Sequence, residues 1–152
     1  MTTRSVVHNS FTLEREYPLP PVEVFEAWAN PRIKVRWFAD NAVGYTMDFR
    51  PGGLEQNDAT LPDGKRITWE SLYREIVPDH RIVYTSVLSE DGTVATLTLT
   101  TVEFVPEGTS TRLVLTEAGA YLDGREQPAW REEGTAGWLD KLGQHLTEKA
   151  QV

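Results

Sequence analysis

Hydrophobic and polar positions alternate over most of this chain, and only one long stretch departs from that rhythm. In residues 10–17, Phe11, Leu13, Arg15 and Tyr17 share one face, opposite Ser10, Thr12, Glu14 and Glu16, which predicts a half-buried strand. Arg15 falls on the inward face, where it would need a carboxylate, unless the strand end lies at a solvated mouth. Pro18, Pro20 and Pro21 end the strand, and Pro21 suits the first position of a helix carrying Val24, Phe25, Trp28 and Ala29. Asn30-Pro31 stops that helix and caps a second short one through Ile33 to Trp37-Phe38.

Residues 43–117 read as a series of strands. Val43, Tyr45, Met47 and Phe49 alternate, and Pro51-Gly52-Gly53 turns the chain into an unusually polar strand at 54–60. After Pro62-Asp63-Gly64, Ile67, Trp69, Ser71, Tyr73 and Glu75 fall on one face; the aromatics mark it as inward and bring Glu75 with them. The facing of residues 81–89 stays open, because Val83 and Val87 compete with Ile82, Tyr84 and Leu88. Leu97 and Leu99 set one parity while Val102 and Phe104 set the other, which predicts a β-bulge near Thr100-Thr101. Thr111, Leu113, Leu115 and Glu117 complete the strands.

The long departure is residues 121–149. Within it Arg131, Thr135, Trp138, Leu142 and Leu146 form a helical stripe, with Leu139 beside it. The second half of the stripe is an apolar anchor and the first half is polar, so a mixed space is expected under Arg131 and Thr135. Gly134, Gly137 and Gly143 lie off the stripe. Strand, two brief helices, strands and one long helix make an α+β order, and 152 residues without a linker or repeat make one domain, 1–152.

Charge and composition narrow the chemistry. A net charge of -8, with no basic run longer than Lys65-Arg66, argues against binding nucleic acid or an anionic membrane. No cysteine is present, and the three histidines, His8, His80 and His145, lack ligand spacing, so neither a metal nor a cofactor is called for. There is no Gly-x-Ser-x-Gly elbow, and Gly52-Gly53 opens no helix, which speaks against a hydrolase triad and a phosphate loop. With no apolar leader or bilayer-length run, a soluble cytoplasmic protein is expected. Acid–base work is conceivable for a carboxylate in an apolar pocket: Glu75 between Trp69, Tyr73 and Tyr84 is the first candidate, then Glu55 or Glu117. Alternatively Glu75 pairs with Arg15 or Arg131 and holds sheet and helix in register, and Glu55, Asn57 and Asp58 hydrate an edge strand.

In order along the chain, Pro-Pro-Val-Glu-Val-Phe-Glu-Ala-Trp with Asn-Pro and Arg-Trp-Phe (20–38), Asp-Phe-Arg-Pro-Gly-Gly (48–53), Pro-Asp-Gly (62–64), Tyr-Arg-Glu-Ile-Val-Pro-Asp-His-Arg-Ile-Val-Tyr (73–84), Thr-Val-Glu-Phe (101–104), Thr-Arg-Leu (111–113), and Tyr-Leu-Asp-Gly to Trp-Leu-Asp-Lys-Leu (121–142) resemble one family. This is the START/SRPBCC superfamily, in the branch named after the activator of the heat shock protein 90 ATPase. The resemblance implies a helix-grip (Bet v-like) fold, a curved antiparallel sheet wrapped around the terminal helix. Of that co-chaperone it covers the C-terminal domain alone. Superfamily members include lipid and hormone carriers, polyketide cyclases and co-chaperone domains, and fold does not select among them.

The leading expectation is a protein that holds a small hydrophobic or aromatic molecule between helix and sheet. The expected wall comprises Arg15, Trp28, Trp37, Phe38, Tyr45, Met47, Glu55, Trp69, Tyr73, Glu75, Tyr84, Tyr121, Arg131, Thr135 and Trp138. The alternatives are a cyclase-like acid–base enzyme and a co-chaperone-like interaction protein, whose partner would be a chaperone or a second copy of the chain. The interaction reading requires an exposed apolar patch on the outer sheet face or the first helices.

Overall fold

The computed structural model describes residues 4–39 and 44–152. Seven antiparallel strands form one curved sheet in the order β1-β7-β6-β5-β4-β3-β2. The strands are β1 (Val6–Tyr17), β2 (Gly44–Met47), β3 (Leu54–Thr60), β4 (Arg66–Val77), β5 (Arg81–Glu90), β6 (Thr93–Glu107) and β7 (Ser110–Leu122). Two short helices, α1 (Pro21–Ala29) and α2 (Pro31–Phe38), follow β1, and the long helix α3 (Pro128–Ala150) ends the chain. This is the α+β helix-grip arrangement expected from the motifs. Val43, expected in a strand, lies outside the described residues.

Local chemistry explains the boundaries. Proline stands at the first turn of all three helices, where its missing N–H costs no hydrogen bond. The Asn30 side chain accepts the Arg32 N–H at 3.0 Å, capping α2. Between β2 and β3 the Gly53 backbone passes so close to Asp48 that a Cβ would meet its carbonyl oxygen at 2.0 Å, so only glycine fits.

The inner face of the sheet and the buried side of α3 make the core. Leu139, Leu142 and Leu146 of α3 are fully buried, as are Ile82, Val102, Leu113 and Leu115 from the sheet. Arg131 and Thr135 are buried on the same side of the helix, so the expected stripe is realised and Leu139, beside it, joins it. Tyr17 from β1 donates a hydrogen bond to the Leu139 carbonyl at 2.8 Å, tying the first strand to the middle of the last helix. Trp28 and Trp37 meet edge to face with ring centres 5.0 Å apart and pack against Trp138, joining the short helices to the long one.

Three expectations are corrected. Residues 121–122 belong to β7 and the helix begins at Pro128, because the sheet ladder carries the chain past Tyr121 in register with Val7 and Thr96. No bulge occurs at Thr100-Thr101; pairing with β7 is continuous there, and the β5–β6 register shifts instead between Leu88 and Ser89. Thr96, Thr98 and Thr100 therefore face inward with Val102 and Phe104, while Leu97 and Leu99 face solvent. On β4 the register shifts between Tyr73 and Glu75, and this extra residue turns Glu75 outward.

Candidate functional site

Beneath the first half of α3 lies a cavity of about 280 Å³. Its walls are the side chains of Phe38, Ile67, Trp69, Tyr84, Leu88 and Trp138, and Trp130, 62% exposed, stands at its edge. Asn57, Ala59, Glu117, Glu126, Arg131, Gly134 and Thr135 complete the lining. The gap exists where the sequence of α3 is polar: Arg131, Gly134 and Thr135 stand where the second half of the helix presents leucines.

One charged network forms the polar end. Arg131 donates through Nη1 to Glu117 Oε2 at 3.3 Å and through Nε to Glu126 Oε1 at 3.1 Å. The inward threonines complete it, Thr100 donating to Glu117 at 2.7 Å and Thr96 to Glu126 at 2.5 Å. Burial pushes the Glu117 carboxyl upward, against the opposing pull of Arg131 and Thr100. Burial alone would lower Arg131, but Glu117 and Glu126 more than offset it and hold the guanidinium above its ordinary value. Tyr84 is raised well above the ordinary phenol range by burial and by Glu117.

A second buried network lies on the other side of Phe38. Lys34 of α2 and Glu55 of β3, each 1% exposed, pair at 2.8 Å. Tyr73 donates to Glu55 at 2.5 Å and Tyr45 donates to its other oxygen. The Lys34 ammonium also sits 4.6 Å from the Phe38 ring centre and 5.1 Å from that of Trp28. Burial lowers the Lys34 pKa while Glu55 opposes the shift.

The expected wall is thus divided. Phe38, Trp69, Tyr84, Arg131, Thr135 and Trp138 line the cavity. Glu55, Tyr45 and Tyr73 surround Lys34, with Met47 3.3 Å from the Tyr45 hydroxyl. Glu55 is therefore a buried ion-pair partner and does not hydrate an edge. Trp28 and Trp37 are core, and Tyr121 is buried on β7 with its phenol pushed up to about 12 by burial. Arg15 bonds Asp140 of α3 at 2.9 Å at the rim, so the partner is neither Glu75 nor the cavity. Glu75 is exposed and paired with Arg81 at 2.6 Å, away from the aromatics expected to surround it.

Lys34, Asn57, Glu126, Trp130 and the inward threonines were not among the expected site residues. A signal for Lys34 was present: it lies three and four residues before Trp37 and Phe38, on their face of α2.

On the outer sheet face a broader depression of about 830 Å³ runs across β1 and β3–β7, past Leu54, Leu72, Val87, Leu97, Leu99, Ala118 and Ala120. Leu54, Leu97 and Leu99 are 44%, 43% and 48% exposed, so an apolar patch of the kind required by the interaction reading is present. Among the described residues no helix is long and apolar enough to cross a membrane.

A sheet gripping a terminal helix, with a mixed cavity in the gap, defines a helix-grip protein of the START/SRPBCC kind. More narrowly, the chain belongs to the family described as activator of Hsp90 ATPase homolog 1-like protein, whose profile matches residues 18–147. Among solved structures it is similar to an uncharacterized protein of Rhizobium leguminosarum, at 37% identity and a TM-score of 0.92, over 97% of this chain and 99% of that one. It is also similar to the Mll3558 protein of Rhizobium loti, at 39% identity and a TM-score of 0.89, over 93% and 99%. A protein of unknown function from Staphylococcus aureus, SA2116, shares the fold at 20% identity and a TM-score of 0.76, over 97% and 98%. No curated protein matches the chain by sequence.

Proposed function

We propose that this protein binds a small hydrophobic or aromatic molecule in the cavity between the sheet and the first half of α3. The observation that carries the reading is the union of ring-lined walls with one charged network at their end. That combination of apolar surface and few polar groups is the usual form of a ligand site. The volume of about 280 Å³ lies just under the roughly 300–1,000 Å³ common for such sites, which favours a small molecule.

The test plugs the cavity. Gly134 lines it, and a Cβ there meets nothing within 4 Å, so a larger side chain can start from this position and Gly134→Leu should take up part of the space. A screen of small aromatic compounds by thermal shift should find compounds that raise the Tm of the wild type and leave that of Gly134→Leu unchanged. Equal shifts in both proteins, or no hit for the wild type, would sink the reading.

The exposed leucines of the outer face favour a second reading, a co-chaperone-like interaction surface. It predicts that a chaperone is recovered with the wild type in a pull-down and lost with Leu97→Lys/Leu99→Lys.

A further inference from the structure

The cavity lining carries two carboxylates against one guanidinium, and the one buried side-chain polar atom it leaves without a hydrogen-bond partner, among the described residues, is an acceptor. Two carboxylates, Glu117 and Glu126, share the single guanidinium of Arg131. Both hydrogen bonds received by Glu126, from Thr96 and Arg131, fall on Oε1, leaving Oε2 with no donor among the described residues. Across the cavity Asn57 Oδ1 is buried and has no hydrogen-bond partner among the described residues. A buried acceptor without a donor costs free energy that a ligand N–H can recover. Phe38, Trp69, Trp130 and Trp138 line the same space, and the face of an aromatic ring attracts a cation.

We infer that the ligand is a small aromatic or apolar amine, bound as its ammonium ion with its N–H groups directed to Glu126. This rests on the cavity being a binding site, as proposed above. A carboxylate ligand meets the opposite field: the charge of Arg131 is already matched, and a third carboxylate would be added to two. A neutral alcohol can donate one hydrogen bond but carries no charge to balance the excess.

Phenethylamine, phenethyl alcohol and hydrocinnamate share one ring and one ethylene chain and differ in the terminal group, so calorimetric titration of the full chain with all three isolates that group. The amine should bind more tightly than the alcohol by on the order of tenfold, the scale of one desolvated charge pair or cation–π contact, and hydrocinnamate most weakly. Glu126→Gln should bring amine and alcohol to within about twofold. Glu133→Gln removes the same charge from an exposed position on α3 and should change neither affinity. If hydrocinnamate or the alcohol matches the amine in the wild type, the amine assignment is wrong while the cavity stands as a site. If Glu133→Gln weakens the amine as much as Glu126→Gln, attraction follows net charge and the assignment is also wrong. If none of the three binds, the cavity reading falls with it. The wild-type ranking needs no variant to fold.

Discussion

Lys34 is the residue whose situation is hardest to reconcile with its chemistry. An ammonium at 1% exposure has lost its water, and it is held by Glu55, by a 3.5 Å contact to the Tyr73 hydroxyl and by the faces of Phe38 and Trp28. A buried pair of this kind gives little net stability, yet breaking it from one side is costly because the other charge is left without a partner. Lys34→Met should therefore destabilise the protein by roughly 3–5 kcal/mol in urea denaturation. Lys34→Met/Glu55→Gln should recover more than half of that loss, since the neutral amide still accepts from Tyr45 and Tyr73. A double variant as unstable as the single one would show that the ammonium acts through packing on the rings and not through its charge. The sequence places Lys34 on the face of Trp37 and Phe38 and offers Glu55 both as a wall residue and as an edge residue, but it does not pair the two. The polar run in β3 pointed to solvent, and only the register Asn57↔Trp69 and Glu55↔Ser71 turns its odd members inward.

At the scale of elements, α3 separates glycines with a packing reason from those without one. All three lie off the buried stripe, yet a Cβ at Gly143 would meet the Tyr17 ring at 3.3 Å, whereas one at Gly137 meets nothing within 4 Å. Gly137→Ala should stabilise the protein by up to about 1 kcal/mol, the helix-propensity difference, and raise its Tm. Gly143→Ala should gain less or lose, because Tyr17 is fixed by its bond to Leu139. Equal gains at both positions would mean that the Tyr17 contact does not constrain the helix. Element order, the two short helices and the stripe of α3 were legible because proline boundaries and apolar periodicity are local signals. Facing on β6 was not, because two leucines outvoted three threonines. The sheet turns those threonines inward, Thr96 and Thr100 donating to Glu126 and Glu117 and Thr98 accepting from Arg131, and places the leucines on its outer face. Glu75 was misplaced for a related reason: a single extra residue in β4 leaves no mark in the pattern yet reverses every later side chain.

For the whole molecule, the aromatic interior that shapes the cavity also governs behaviour in alkali. Each of the five tyrosines has its phenol pKa raised, with burial the largest cause in every case. A group whose folded pKa is raised gives stability that is fully present below its unfolded value and is lost as pH rises through the folded one. In the unfolded chain tyrosine ionises near 10, so the loss begins there. Each tyrosine that ionises only when unfolded lowers stability by about 1.4 kcal/mol per pH unit. Tyr121, pushed only to about 12, is the first that can ionise within the folded protein. Lys34 runs the opposite way: its lowered pKa makes stability rise with pH, but only up to its unfolded value of 10.5, beyond which it is constant. One lysine therefore cannot offset several tyrosines. Urea denaturation across a pH series should show stability falling steeply above pH 10, and tyrosinate absorbance should rise together with loss of the near-ultraviolet circular dichroism. Tyrosines titrating near 10 with the dichroism intact would mean that water reaches the interior, and that the ring-lined gap is far more open than the structure draws it.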